Sequence, residues 1–538
     1  MKLMNRYCLF IYLLMTGPAV ADWPYWPQYD KTPLTEIRAQ QWRDKEDVIE
    51  GWDWSLPPGV EPSPYGLMAI KRSSNLNRSL TKLLEPLDLP INPTVTLWIR
   101  WASLEPQEGT YQFNVLRERI AEAQAMGYSV VLRILCSATT FAPKWMESYG
   151  IPIRAEHKPA KVKNYDISNS KFHQRYLRLI NALGQSGIPK LDSLKGAFVG
   201  YASPSHGDEG IGPRGVDPDT VPHVIERLDA WAKAFEGVEH KVFMGGVSTH
   251  GLDLGFGIRR GFVEMYLYHI PDNSIGQRVD DTGYLWVDES AQILSKNAFH
   301  GEENEEYEEK WATAARDFRF GQTTESYPYR YFTSNLRLLQ MRCNYVLYNP
   351  FSIMPEQLVW VGQNLGHTVQ DAPDVWCALR ESYVRKVGPV MNFERWLYQR
   401  DSEGFETQPA VKIEQPIQMW MVEPGKYYDY VARQGEQIGF AVDDRWCGGA
   451  SANVAIKTTY FDLGRGAVDV IVHTKTGPGK RSINLTDTGD LKTATFFFND
   501  VMFSASGMNY DIIFKSTGAE AVLSFVRVIK LDTPGLLK

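Results

Sequence analysis

The chain of 538 residues is 43% hydrophobic and 12% aromatic, and it carries a net charge of −7 at pH 7. That is ample apolar material for a large core and more length than one ordinary domain uses, so two domains are expected. The acidic balance gives no reason to expect nucleic acid or an anionic membrane surface as a partner.

The first stretch reads as an export signal. Lys2 and Arg6 form a basic start, an apolar run follows from Tyr7 to Met15, and Ala19-Val20-Ala21 supplies small residues for cleavage. Residues 1–21 are therefore expected to be removed, leaving a secreted or periplasmic chain from Asp22. No later run is apolar enough to span a bilayer. Cys136, Cys343, Cys377 and Cys447 remain. They are too few and too scattered for a disulfide framework or a zinc site, and their pairing is not readable. No metal and no cofactor is expected.

Residues 22–58 are rich in Trp, Pro and charge. The first strand is either Val48-Ile-Glu-Gly-Trp-Asp-Trp54 or Gly66-Leu-Met-Ala-Ile-Lys71. A regular pattern then sets in, with short β-branched runs alternating with amphipathic stretches. Thr94-Val-Thr-Leu-Trp-Ile-Arg100 reads as the second strand and 114–126 as a helix ended by Gly127. Ser129-Val-Val-Leu-Arg-Ile-Leu135 is the third strand, followed by a helix at 171–183. Leu194-Lys-Gly-Ala-Phe-Val-Gly-Tyr201 is the fourth, with a helix at 221–235. The expected fifth is Lys241-Val-Phe-Met-Gly-Gly-Val247 and the sixth Gly283-Tyr-Leu-Trp-Val-Asp288. The seventh is Asn297-Ala-Phe-His300, running into the acidic cluster Gly301-Glu-Glu-Asn-Glu-Glu306. A helix at 329–341, the strand Asn344-Tyr-Val-Leu-Tyr-Asn349 and a helix at 356–365 complete eight units.

Repeated strand-then-helix units of this length predict an α/β chain, a (β/α)₈ barrel over 22–405. A doubly wound sheet would show a glycine-rich phosphate loop after its first strand, and none is visible. After Gln408 helical periodicity gives way to closely spaced strands, and Val454, Ile456, Thr458 and Tyr460 alternate as a half-buried sheet does. Residues 406–538 are therefore expected to form a β-sandwich, as a carbohydrate-binding or supporting domain.

In a parallel barrel, chemistry belongs at the C-terminal ends of the strands. The expected ends collect Arg100 and Trp101 after strand two, Arg133 on strand three, and His206, Asp208 and Glu209 after strand four. His250 follows strand five, Trp286 marks strand six, Glu302 and Glu303 follow strand seven, and Asn349 ends strand eight. Acids after strands four and seven, facing one another, are what glycoside hydrolysis requires. Each of these residues also has a structural reading: an acidic cluster can be the first turn of a helix, and Arg133 an ion-pair partner.

Arg100-Trp-Ala-Ser-Leu-Glu-Pro-Gln-Glu-Gly-Thr-Tyr111 resembles the block after the second strand of clan A glycoside hydrolases. Ala142-Pro-Lys-Trp-Met146 is similar to the Pro-x-Trp loop after strand three in β-galactosidase- and agarase-like members. The resemblance covers residues 66–365 and implies a retaining hydrolase, with its acid/base after strand four and its nucleophile after strand seven. It makes Glu209 the acid/base and Glu302 the nucleophile, with Glu303 and Glu305 as alternatives in the same cluster. The family's Asn-Glu pair after strand four is here Asp208-Glu209, a departure that leaves Asp208 able to exchange roles with Glu209. Arg100, Trp101, Arg133, His206, Asp208, His250, Trp286 and Asn349 are the substrate-binding candidates. Export, an aromatic cleft and cations such as Arg100, Arg133 and Arg214 suit an external polysaccharide carrying anionic groups. An algal galactan, agar or carrageenan, is the expected substrate. Two other classes are open: a metal-dependent hydrolase using His206, Asp208 and His250, and a non-catalytic polysaccharide-binding protein on the same barrel.

Overall fold

In the computed structural model the described residues are 48–50, 67–74, 76, 79–80, 93–155, 163–200, 210–212, 216–262, 276–290, 298–303, 327–348, 355–384, 388–412, 430–503 and 510–531. The expected export signal lies outside them. No helix among the described residues is long and apolar enough to cross a membrane.

Eight parallel strands close into a barrel: β1 (Leu67–Ser74), β2 (Pro93–Arg100), β3 (Ser129–Leu135), β4 (Leu194–Val199), β5 (Val242–Gly245), β6 (Gly257–Phe262), β7 (His300–Glu303) and β8 (Tyr345–Tyr348). Each pairs with the next in sequence, and β8 closes on β1 with Tyr345 opposite Leu67. The helices between them are α1 (Trp101–Leu104), α2 (Phe113–Ala125), α3 (Ser170–Gln185), α4 (Val224–Ala234), α5 (Thr249–Asp253) and α6 (Tyr327–Gln340), with α7 (Pro355–Asn364) after β8.

The strands are buried on both faces, as a barrel wrapped in helices demands. Val95, Leu97 and Ile99 of β2, with Val130, Leu132 and Ile134 of β3, pack outward with Leu116, Ile120, Leu179 and Leu228 in the core shared with the helices. The alternate positions fill the lumen: Val131, Phe198, Phe243, Phe299, Tyr345 and Leu347 form one cluster there. Side chains, not water, occupy the barrel axis.

The observed strands decide between the two candidates for the first and correct the expected ones at two places. The first barrel strand is Leu67–Ser74, while Val48–Glu50 pairs with a distant strand of the second domain. The sixth is Gly257–Phe262, not 283–288. Its Gly-Ile-Arg-Arg-Gly composition hides it, yet glycine is needed there: a Cβ on Gly257 would meet the Phe299 carbonyl oxygen at 2.0 Å. The Tyr-Leu-Trp-Val run is a strand too, Leu285–Val287, but it forms a hairpin with Gln277–Val279 outside the barrel. The seventh strand starts at His300, so its ladder takes in Gly301, Glu302 and Glu303, which the expected strand left to the loop. A strand end that opens to solvent need not be apolar.

The second domain is a 13-stranded antiparallel sheet. Its strands are β9 (Asp374–Val384), β10 (Gly388–Arg395), β11 (Leu397–Gln399), β12 (Gln408–Lys412), β13 (Tyr430–Gly435) and β14 (Gln437–Val442). There follow β15 (Ser451–Phe461), β16 (Arg465–Thr474), β17 (Gly477–Thr486), β18 (Leu491–Met502), β19 (Ile512–Gly518) and β20 (Ala521–Lys530), with Val48–Glu50 added against β18. The order is β10-β9-β13-β20-β15-β18-β16-β19-β14-β11. Leu379, Phe440, Ile456, Val470, Phe496, Phe514 and Val528 share its separate core. The sheet begins at Asp374, so the expected boundary at 405/406 falls inside it.

Barrel and sheet meet through aromatic rings. Phe332 of α6 packs on Phe525 of β20 at 6.0 Å between centroids, and Trp360 of α7 on Trp376 of β9 at the same distance.

Candidate active site

A closed parallel barrel brings eight strand ends to one rim, whatever their order in sequence. At that rim β2 ends in Arg100, β5 in Gly245 and β7 in Glu303. For Glu302 and Glu303 the backbone register carries the information. Gly301 pairs with Tyr345, Glu302 with Val346 and Glu303 with Leu347. Tyr345 and Leu347 belong to the lumen cluster, and Val346 to the core under the helices. Laterally paired residues of a pleated ladder share a face. In the backbone ladder Glu303 is thus paired with a residue of the lumen cluster and Glu302 with one of the helix-side core. Opposite β6 the register shifts, with Gly301 facing Arg259 and Glu303 facing Phe262. Bulges of this kind re-aim residues at barrel rims.

Two buried guanidinium groups lie in the lumen. Arg133 of β3 stacks over Trp98 at 4.1 Å and over Phe198 at 4.7 Å, and Arg259 of β6 approaches the same Phe198 ring at 5.2 Å. Two cations sharing one buried ring favour ionised carboxylates nearby. Arg133 was among the expected site residues and Arg259 was not; the cue for it was an Arg-Arg pair between two glycines.

Glu209, His206, Asp208, Arg214 and Asn349 lie outside the described residues. The chain directly after Glu209 is placed, however: the Ile211 N–H donates to the Gly245 carbonyl at 3.0 Å, at the end of β5.

Of the other candidates, Arg100 is exposed at the end of β2 with its guanidinium over Phe141 at 5.7 Å. Trp101 is not an open platform. It is fully buried, edge-on to Trp145, Phe172 and Tyr176. Its indole N–H donates to the Glu105 carboxylate at 2.7 Å, and Glu105 also takes the Gly109 N–H at 2.7 Å. Burial pushes the Glu105 carboxyl above its usual range, against these hydrogen bonds. Trp145 donates to the Glu105 carbonyl at 3.1 Å, so the loops after β2 and β3 lock together. His250 of α5 is tied to Asp229 of α4 at 2.7 Å, in the helix layer. Trp286 lies at the opposite end of the barrel, beside Arg342, which precedes β8. The rim therefore keeps Arg100, Glu303 and, beneath it, Arg133; Trp101, His250 and Trp286 serve elsewhere.

One group with metal-ligand chemistry stands in the helix layer. His173, His223 and Glu226 offer atoms within 4.8 Å of one another. The two imidazoles are stacked at 4.0 Å and within 12° of parallel; His223 hydrogen-bonds Glu226 at 2.9 Å and His173 Nε2 lies 3.1 Å from the same carboxylate. Lone pairs in parallel ring planes do not converge on one ion, so ligation requires one ring to turn. Cys136, Cys343 and Cys377 are buried thiols and Cys447 is half-buried.

The family model described as "Beta-galactosidase" (Glyco_hydro_42) matches residues 91–185. This segment spans β2, β3, α3 and the interlocked loops between them. No curated protein sequence matches the chain. Among solved structures, endo-glycoceramidase II from Rhodococcus sp., as its lactosyl-enzyme intermediate, is 11% identical, covering 82% of this chain and 99% of its own, with a TM-score of 0.30. A GH30 endoxylanase from Clostridium papyrosolvens C71 is 10% identical over 84% of this chain and 100% of its own, at 0.34. The exo-beta-1,4-mannosidase Op5Man5 from Opitutaceae bacterium strain TAV5 is 12% identical over 58% of each chain, at 0.30. Residues 91–185, which hold the second and third strands of the barrel, are similar to that glycoside hydrolase family.

Proposed function

We propose that this protein is a retaining glycoside hydrolase, exported from the cell, that cleaves β-glycosidic bonds of an external galactan of the agar or carrageenan type. The observation that supports the reading is the register of β7, the seventh strand of a closed parallel barrel, which pairs Glu303 with Leu347 of the lumen cluster. Glu303 is accordingly the nucleophile we favour over Glu302. Glu209 is the acid/base: it directly precedes Gly210 and Ile211, whose anchor is the end of β5.

In this mechanism Glu303 attacks the anomeric carbon while Glu209 gives its proton to the leaving oxygen. The covalent glycosyl-enzyme is then hydrolysed by a water that Glu209 deprotonates. Retention needs the two carboxyl groups about 5 Å apart. Buried Arg133 and Arg259 favour the ionised nucleophile, and the ionised nucleophile keeps Glu209 protonated. The galactose configuration is supported by the "Beta-galactosidase" description of the matching model. An anionic substituent is supported by exposed Arg100 at the rim.

The test is reducing-end release by the mature protein from agar, porphyran, carrageenans and neutral β-glucans, with Glu209→Gln alongside and the first-formed anomer followed by NMR. Release of the β-anomer from one galactan, lost in the variant, is expected. Activity confined to neutral glucans sinks the substrate, and an α-anomer as first product sinks the mechanism.

A further inference from the structure

The barrel end remote from the proposed carboxylates holds a second site. Trp286, on the Leu285–Val287 strand, is 40% exposed, so no core packing accounts for its ring. It borders a pocket of about 370 Å³ whose polar lining is Arg342, Glu394, Tyr398 and Arg400. The pocket is built where the hairpin meets the sheet, with the Met391 N–H donating to the Gly283 carbonyl at 2.8 Å.

Its polar groups are only partly used by the protein. Glu394 is 3% exposed. Its Oε1 accepts from Arg400 Nη1 at 2.6 Å, from the Gln399 N–H at 3.0 Å and from Asn392 Nδ2 at 3.4 Å. Its Oε2 is buried and accepts from no described residue. Arg400 spends Nη1 on Glu394 and on the Gln399 carbonyl. Arg342 gives Nε to Glu289 and Nη1 to the Gln340 carbonyl. The Nη2 groups of both arginines have no acceptor among the described residues. An open indole and planar donors at one pocket, held by a buried Glu394, match a pyranose, which has an apolar C–H face and hydroxyls that accept.

We propose that this pocket binds one sugar unit of a polysaccharide, stacked on Trp286 and hydrogen-bonded by Arg400 and Arg342, on the face of the protein opposite the cleaving rim. The inference takes the sugar class of its ligand from the proposed function. Its effect is retention: a chain held at one end of the barrel raises the local concentration of bonds at the other.

The experiment is electrophoresis of wild type, Trp286→Ala and Trp286→Phe in gels containing agarose, κ-carrageenan or a neutral β-glucan. Kinetics on the retarding polymer and on a small chromogenic β-galactoside run beside it. Wild type is expected to be retarded by one polymer and Trp286→Ala not, with KM on that polymer rising about tenfold at unchanged kcat, as loss of one stacking contact implies. Trp286→Phe should keep most of the retardation, and the small glycoside should be cleaved alike by all three. Equal retardation of Trp286→Ala, or no retardation of wild type in any gel, overturns the proposal. Retardation that depends on Trp286 without cleavage of any glycoside keeps the pocket and removes the hydrolase reading.

Discussion

The Trp101 indole donates to the Glu105 carboxylate inside the protein, with Trp101 fully buried and Glu105 2% exposed. The hydrogen bond joins two residues of the Arg-Trp-Ala-Ser-Leu-Glu-Pro block, whose role is thereby architectural: it fixes the loop from which Arg100 reaches the rim. Trp101→Phe should cost ~1–3 kcal/mol, because it leaves a buried acceptor short of a donor. Glu105→Gln should cost a similar amount, and the double variant less than the sum. Urea unfolding of the four proteins measures the coupling, and strictly additive losses would count against a direct bond.

Glu302 and Glu303 are chemically identical neighbours, separated only by the β7–β8 register. Glu303→Gln is expected to abolish nearly all turnover on the released substrate, and Glu302→Gln to keep most of it. Adding azide to Glu303→Gly should restore cleavage, with a glycosyl azide of inverted configuration as product. The reverse pattern would falsify the lumen assignment and return the nucleophile to Glu302.

The barrel was legible because its outward faces obey a period of two: Val95, Leu97 and Ile99, then Val130, Leu132 and Ile134, announce strands without help. What escaped were elements whose residues answer to a local demand. Gly257 is glycine because Phe299 presses on it, and Arg259 is charged because it serves the lumen, so β6 reads as a loop. Leu285-Trp-Val287 reads as a barrel strand because its apolar alternation is real, although its partner is a hairpin strand. Trp101 and Trp286 look alike in sequence, as tryptophans near expected strand ends. Only packing shows that one is a pillar and the other an open ring. The strand-seven carboxylates were readable as a cluster, but which of them faces the lumen is a property of register, and register is set by a partner strand more than forty residues away.

His173 is the residue from which an acid-side loss of stability is expected. It is 8% exposed, and its pKa is lowered to about 4 by burial first, then by Arg227 and His223, with Glu226 opposing. The folded state therefore holds fewer protons on this group than the unfolded chain, whose histidine titrates near 6.5. The associated stability is complete above about pH 6.5 and is lost as pH falls towards about 4, by ~1–2 kcal/mol after allowance for screening by nearby solvent. His173→Gln removes that titration. Unfolding free energies from pH 7.5 to 4.5 should fall less steeply in the variant, and parallel curves would show that His173 does not protonate on unfolding.

Barrel and sheet are predicted to unfold together because one carboxylate serves both. Asp374, the first residue of β9, is fully buried; its Oδ2 accepts from Arg527 Nε of β20 at 2.5 Å and from Trp360 Nε1 of α7 at 3.1 Å. Asp374→Ala removes the buried Arg527 ion pair and the Trp360 hydrogen bond together and should cost ~3–5 kcal/mol. Because the lost acceptor also held a barrel helix, the variant should separate a single thermal transition into two. Replacing both charged residues, as Asp374→Leu with Arg527→Met, removes both members of the pair and should recover most of the loss, since well-packed apolar pairs match buried ion pairs to within ~1–4 kcal/mol. Calorimetry of wild type, the single and the double variant decides. A single variant within ~1 kcal/mol of wild type would mean that Asp374 is not what compensates Arg527.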